Sequence, residues 1–289
     1  MATIISQLAD IQTNPTSPAA ARLQQLLDEF PSPQSNTTEL KTNTSVNPTT
    51  NTTKQFCTKV RQAIDVASRS LLLYPSRDTT TAAKRQRIAL SFNGGKDCTV
   101  VLHLLLAALA DCSSSTTTTS TQLIDSILPF YFSTDDVFEE ELKFVHSTAA
   151  QYFGGEKNLL TMKDVSNTNG VTTLVEQYGI KAFLMGTRST DPDGKWLNGV
   201  FWPSSKGWAP FMRINPCLDW TYRDIWIFLR FFNIDYCSLY DKGYTSIGTK
   251  STSNPNPLLK KEDGQQQHHP AYMLVQSSQE RAGRVKKKK

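Results

Sequence analysis

No two of the five cysteines, at positions 57, 98, 112, 217 and 237, stand in a C-x-x-C spacing. That absence excludes a zinc ribbon and a dithiol redox motif, and the odd count fits reduced thiols in the cytosol. Long apolar runs are missing as well. None reaches the roughly 18 residues of a membrane span, so no membrane partner is expected. The opening residues, MATIISQLADIQTNPTSP, hold neither lysine nor arginine and no extended apolar core, which argues against a secretory signal and an Arg-rich transit peptide. A cytoplasmic location is expected on those grounds. Excess charge is also scarce. The formal net charge is +5, and four of those charges are the terminal Lys286 to Lys289. The body is close to neutral and offers no basic face, so no nucleic-acid partner is expected; the tail reads as solvated.

What is present suits a globular enzyme. At 289 residues with 38 % apolar and 20 % charged side chains, the chain can bury one large core. Residues 19–29 show helical spacing, with Leu23, Leu26, Leu27 and Phe30 on one side, and then 31–53 turns polar and Pro-punctuated. Such a stretch cannot bury enough surface to offset its ordering entropy and reads as a flexible linker. The expected organisation is therefore an N-terminal helix and linker over 1–53 and a single domain over 54–289. A helix is expected over 54–74, where Val60, Ile64, Ala67 and Leu71 recur at helical intervals. Two further Ser/Thr-rich insertions, 78–86 and 111–122, interrupt the domain.

Between the insertions the pattern alternates. Strands are expected at 88–92, 127–132, 159–162 and 182–185, and helices at 97–110, 135–153 and 171–178, the last closed by Gly179. Alternation of this kind predicts an α/β fold, an open, mostly parallel Rossmann-like sheet with helices on both faces. Ligands of such sheets sit outside the carboxyl ends of the strands. Three loops with polar residues leave those ends: 91–97, 133–136 and 186–195.

The first of these, Ser91-Phe92-Asn93-Gly94-Gly95-Lys96-Asp97, joins a strand to a helix. Paired glycines let backbone N–H groups approach an anion, and the helix N-terminus adds partial positive charge. Ser91 supplies a hydroxyl, Lys96 a cation, and Asp97 a carboxylate able to hold Mg²⁺ beside phosphates. The loop is too short for a Walker motif and lacks the dinucleotide fingerprint. It resembles the S-x-G-G-K-D signature of the PP-loop ATP pyrophosphatases, which cleave ATP between its α- and β-phosphates.

In the second half, Gly186 and Thr187 leave the fourth strand, and Arg188 and Asp191 follow in a turn ending Asp-Pro-Asp-Gly. The pair reads either as a turn with a surface ion pair or as an arginine for phosphate beside a carboxylate for metal or a ligand hydroxyl. Thr221 and Asp224 form a capping box ahead of an aromatic stripe, Ile225, Trp226, Phe228, Leu229 and Phe232, which reads as core. Trp208 lies in a Gly/Pro loop, where its ring can lid a flat ligand. Arg281 and Arg284, three apart, suit a phosphate or a solvated tail.

The segments SFNGGKDC, GTRSTDP, GWAPFMRINPCLDWTYRDIW, LYDKGYTSIG and ERAGR together resemble the eukaryotic FAD synthases, the FMN adenylyltransferases of the PAPS-reductase-like PP-loop group. The resemblance runs from about Lys54 to Val285, with the flavin- and ATP-binding C-terminal segment over about 186–285. It implies AMP transfer from ATP to FMN, giving FAD and pyrophosphate with Mg²⁺, by an enzyme acting on small-molecule substrates; a monomer is expected. It also implies that Ser91, Phe92, Asn93, Gly94, Gly95, Lys96 and Gly186 serve ATP and that Asp97 holds the metal. Thr187, Arg188, Asp191, Trp208 and Arg213 fall on the flavin side, Arg281 and Arg284 on the phosphates. Asn93, Asp97, Asp191, Arg281 and Arg284 then form the catalytic set. The family's loop before the tryptophan often carries an acidic residue; here it reads Ser204-Ser205-Lys206-Gly207. Two other readings stand beside this one: a PP-loop enzyme acting on a sulfur nucleotide, and a binding protein without turnover. The intact Lys96-Asp97 pair argues against the latter.

Overall fold

The computed structural model describes residues 2–29, 48–76, 86–112, 120–262 and 268–285. The terminal lysine run, the 78–86 insertion apart from Gln86, residues 113–119 of the next insertion, Phe30, and residues 31–47 of the expected linker lie outside the described residues.

Two helices open the chain, α1 (Ala2–Thr13) and α2 (Pro18–Glu29). The sequence expectation began the folded domain at Lys54, yet Ile4, Leu8 and Ile11 of α1 and Leu23, Leu26 and Leu27 of α2 are buried in the main core. They recur every three or four positions, so each helix carries an apolar stripe that loses free energy unless covered. Part of the cover for α2 comes from α3 (Pro48–Leu73), whose Val60, Ile64 and Ala67 join the same cluster, while α1 packs on α2.

The alternating region follows. It comprises β1 (Ile88–Ser91), α4 (Lys96–Cys112), α5 (Ser120–Ser126), β2 (Ile127–Ser133), α6 (Glu139–Tyr152), β3 (Leu160–Lys163), α7 (Asn167–Glu176) and β4 (Ala182–Leu184). The hairpin β5 (Phe201–Pro203) and β6 (Met212–Ile214) and the aromatic helix α8 (Tyr222–Phe231) complete it. The six strands run in the order β3-β2-β1-β4-β6-β5, all parallel except the edge strand β5. Pro203 is tolerated there because an edge strand can lose an N–H on its open side.

The two sheet faces are unequally covered. Ile88, Leu90, Ala182 and Leu184 point into the larger cluster with α3, α4 and α8. Their neighbours Ala89 and Phe183 point the other way, onto Val171, Leu174 and Val175 of α7 and onto Phe211. Helix α6 starts at Glu139 rather than 135, because 135–136 form a turn in which Thr134 Oγ1 accepts from the Asp136 N–H at 3.1 Å. The expected capping box is present, with Thr221 and Asp224 satisfying each other's backbone N–H, and the aromatic stripe behind it is core.

Chain order sets where a ligand can enter. From β1 the chain moves outward to β2 and β3, then returns to place β4 on the opposite side of β1. Connections therefore diverge between β1 and β4, opening a crevice at their carboxyl ends. The loops at 91–97 and 186–195 both leave the strands there.

Candidate active site

Gly94 turns the chain out of β1 with a φ of +74°, a left-handed conformation disfavoured for side chains, and a Cβ there would lie 3.1 Å from Val145 Cγ2. Asn93 Oδ1 accepts from the Gly95 N–H at 3.1 Å and stiffens the bend. Phe92 departs from its expected place beside ATP. Its ring is fully buried against Phe144 and Phe153, so only its backbone belongs to the loop.

Across the crevice, Gly186 has no room for a side chain. A Cβ would stand 2.8 Å from the carbonyl carbon and the Cβ of Asp97. This contact locks the end of β4 against the start of α4. Gly186→Ala is expected to lower stability by about 1–3 kcal/mol, the usual range for overpacking. A urea midpoint equal to that of the parent protein would refute the close approach.

Five charged side chains meet at this junction. Lys96 Nζ lies 2.9 Å from Asp97 Oδ2 and 2.5 Å from Glu280 Oε1. Arg188 Nε lies 2.9 Å from Asp97 Oδ1, and its Nη2 lies 2.7 Å from Glu280 Oε2 and 3.4 Å from Asp191 Oδ1. The backbone N–H of Arg188 also donates to Asp191 Oδ2 at 2.8 Å. Lys96 and Arg188 are 2 % and 1 % exposed, so each is committed to its carboxylates. Arg188 was expected to face a phosphate, or to sit in a surface pair. Instead it is a buried hub for three carboxylates.

The electrostatics follow from this packing. Burial alone would raise the Asp97 carboxyl, but Lys96 and Arg188 outweigh it and hold Asp97 below the usual carboxylate range. For Asp191 burial prevails over Arg188, and its pKa is raised. Burial would lower Lys96, yet Asp97 and Glu280 reverse the sign and keep it charged. The rings of Tyr222 and Tyr240 lie 5.2 Å and 6.0 Å from its ammonium, and Tyr240 Oη accepts from the Lys96 N–H at 2.8 Å.

One cavity opens onto this junction, and a second adjoins the first. One, of about 380 Å³, is lined by Ser91, Asn93, Gly95, Lys96, Asp97, Gly186, Thr187, Asp191, Glu280 and Arg281 among others. The other, of about 430 Å³, shares Asn93, Gly95 and Ile247 with it and extends along Tyr131, Glu141, Thr249 and Arg284. The two arginines expected to act together on phosphate thus face different cavities. Glu141 at the second cavity is buried, which pushes its carboxyl up to about 7. Trp208 and Arg213 line neither. They sit at the β5–β6 hairpin, where the Arg213 guanidinium lies 5.2 Å from the Trp196 ring and 5.0 Å from that of Phe211. Its Nη1 donates to the Pro203 carbonyl at 2.6 Å, while Trp208 packs edge-on to Phe211.

Glu280, Tyr222 and Tyr240 were not singled out for the site by the sequence. Glu280 adjoins Arg281 in the quoted ERAGR segment, and that adjacency was its only signal. Among the described residues no three metal-ligating side chains form a cluster. Asp97 and Asp191 do face one cavity, a donor set that fits a hard cation taking most of its oxygens from phosphates.

A glycine bend at the switch point of a mostly parallel sheet, with a carboxylate–cation cluster behind it, defines an α/β nucleotide-binding domain. The phosphoadenosine phosphosulfate reductase domain family matches over residues 87–255. A probable FAD synthase of Schizosaccharomyces pombe is 41 % identical over 201 residues, 69 % of this chain and 72 % of that protein. A probable FAD synthase of Caenorhabditis elegans is 34 % identical over 233 residues, which cover 80 % of this chain but 41 % of the nematode protein. The crystal structure of Candida glabrata FMN adenylyltransferase in complex with FAD and inorganic pyrophosphate aligns with a TM-score of 0.68 at 22 % identity, over 93 % of this chain and 97 % of that one. It is alike in fold. The chain belongs to the FAD synthase family, within the phosphoadenosine phosphosulfate reductase-like domain group.

Proposed function

We propose that the protein transfers the AMP moiety of ATP to FMN, releasing FAD and pyrophosphate. The observation that carries this reading is the pair of adjoining cavities sharing Asn93, Gly95 and Ile247. One is sized and lined for the nucleoside of ATP, and the other for its phosphates and an incoming phosphate. A terminal oxygen of the FMN phosphate attacks the α-phosphorus in line; a new P–O bond forms as the bond to the bridging oxygen breaks and pyrophosphate leaves. The attacking oxygen is already anionic, so no general base is needed. The chain's task is to hold two polyanions together, through the glycine bend at the start of α4, Arg281 at the phosphate cavity, and Arg284 at the nucleoside cavity. Asp191 lies where the two substrates would join. Mg²⁺, held by Asp97 together with phosphate oxygens, would supply charge neutralisation. Trp208 and Arg213 offer an aromatic and cationic surface for the flavin at the hairpin.

Incubating the protein with ATP, MgCl₂ and FMN and separating products by chromatography tests the reading. FAD and pyrophosphate in equal amounts are expected. Turnover only with a sulfur nucleotide, or nucleotide binding without product, would refute it.

A further inference from the structure

The carboxylate of Glu280 holds a position that no neighbouring sequence signal explains. It reaches Lys96 Nζ at 2.5 Å and places both oxygens 2.7 Å from Arg188 Nη2, although these partners lie 184 and 92 residues away in the chain. A planar anion between an ammonium and a guanidinium occupies the place that a phosphate would take on the same two cations. The surrounding charge strengthens the point. Lys96 and Arg188 face Asp97, Asp191 and Glu280, two cations against three carboxylates, so the junction repels an approaching polyphosphate while Glu280 stays. Arg188 Nη1 is buried without a hydrogen-bond partner, leaving donor capacity for an anion with more than two oxygens.

Glu280 is also placed to leave. It lines the 380 Å³ cavity, whereas Arg188 stands behind it and does not. It lies on a short turn following a single 3₁₀ turn, Ser277–Gln279, rather than on a strand or long helix. Its backbone is fixed, the N–H donating to the Ser277 carbonyl at 3.1 Å and the carbonyl accepting from Thr245 Oγ1 at 2.6 Å, so the part free to leave is the side chain. The next residue, Arg281, lines the same cavity, so a cation stands beside Glu280 to meet an entering anion.

We propose that Lys96 and Arg188 form an anion subsite which Glu280 fills in the substrate-free protein and yields to a phosphate group, specifically one belonging to the pyrophosphate portion of the nucleotide. The proposal rests on the phosphate assignment of this cavity made above, but not on FMN being the acceptor. Glu280 is then a stand-in for substrate, and its carboxylate competes with polyphosphate for the same cations.

The test is the affinity of the full chain for inorganic pyrophosphate with MgCl₂, measured by calorimetric titration of the parent protein and of Glu280→Gln. A stand-in predicts tighter binding in the variant, by about tenfold for removal of one competing charge at this range. A residue that merely shapes the site predicts weaker binding, so equal or weaker affinity overturns the proposal. Should Glu280→Gln fail to fold, Glu280→Asp replaces it. That change retracts the carboxylate by about 1.5 Å, one C–C bond, and also predicts tighter binding; equal or weaker affinity again counts against it. FAD formation by the parent protein is scored separately. Tighter pyrophosphate binding without FAD synthesis would sink the acceptor assignment and leave the subsite standing.

Discussion

Asp97→Asn is expected to cut kcat/KM for FAD formation by about a hundredfold or more, the loss typical of removing one preorganised charge from a reacting centre. The substitution keeps the shape of the side chain and its place at the start of α4, so the effect reports charge rather than packing. Three features make the loss large. Asp97 faces the 380 Å³ cavity, its ionised form is secured by Lys96 and Arg188, and it follows the glycine bend directly at the start of α4. The acid limb of the pH–rate profile should not belong to Asp97, because its pKa is depressed. By the same sign, the stability it contributes is fully present above its unfolded value, about 3.9, and is lost only as pH falls through the lower folded value. Steady-state assays of the purified variant check this, and turnover close to that of the parent protein would remove Asp97 from the mechanism.

Arg188→Met should act through stability first. The guanidinium is buried and touches Asp97, Asp191 and Glu280, so its removal leaves three carboxylates facing one another with Lys96 as the remaining cation in contact. Breaking a buried pair in this way costs about 3–5 kcal/mol, because the abandoned charges stay desolvated. A drop in the urea midpoint with an unchanged slope is the expected result. A loss below about 1 kcal/mol, the range of surface pairs, would mean that solvent already screens the cluster. Arg188→Lys should rescue only part of the loss. An ammonium is a point charge and cannot reach all three carboxylates from one position.

Much of the fold was legible because its signals are local. The apolar run at 88–91, the glycine bend and the helix after it follow from contacts between near neighbours, as does the Thr221–Asp224 capping box. Strands β5 and β6 were missed because they lie among Gly, Pro and polar loop residues outside the alternating pattern, and their strand character comes from pairing beside β4. Helix α1 shows its spacing in Ile4, Leu8 and Ile11, but without sight of a partner surface that stripe looked like part of a trailing segment. The site divides along the same line. Ser91, Asn93, Gly95, Lys96 and Asp97 were found together because one bend carries them, and their shared cavity follows. Arg188 reads locally as a partner of Asp191 alone, and its contacts with Asp97 and Glu280 come only from the fold. Phe92 was grouped with the loop because sequence adjacency hides which way a side chain points.

By itself, then, the sequence determined the glycine bend, the α/β alternation around it and the family to which the chain belongs. Each depends on dihedral preference, periodicity or short motifs, which act over a few residues. Only the tertiary structure decided which charges meet. The placing of β4 beside β1 carries Arg188 to Asp97, and the packing of the C-terminal turns carries Glu280 across to both cations. Those pairings have little strength in an extended, hydrated chain. They gain it where burial lowers the local dielectric and holds groups 92 and 184 residues apart within hydrogen-bonding distance.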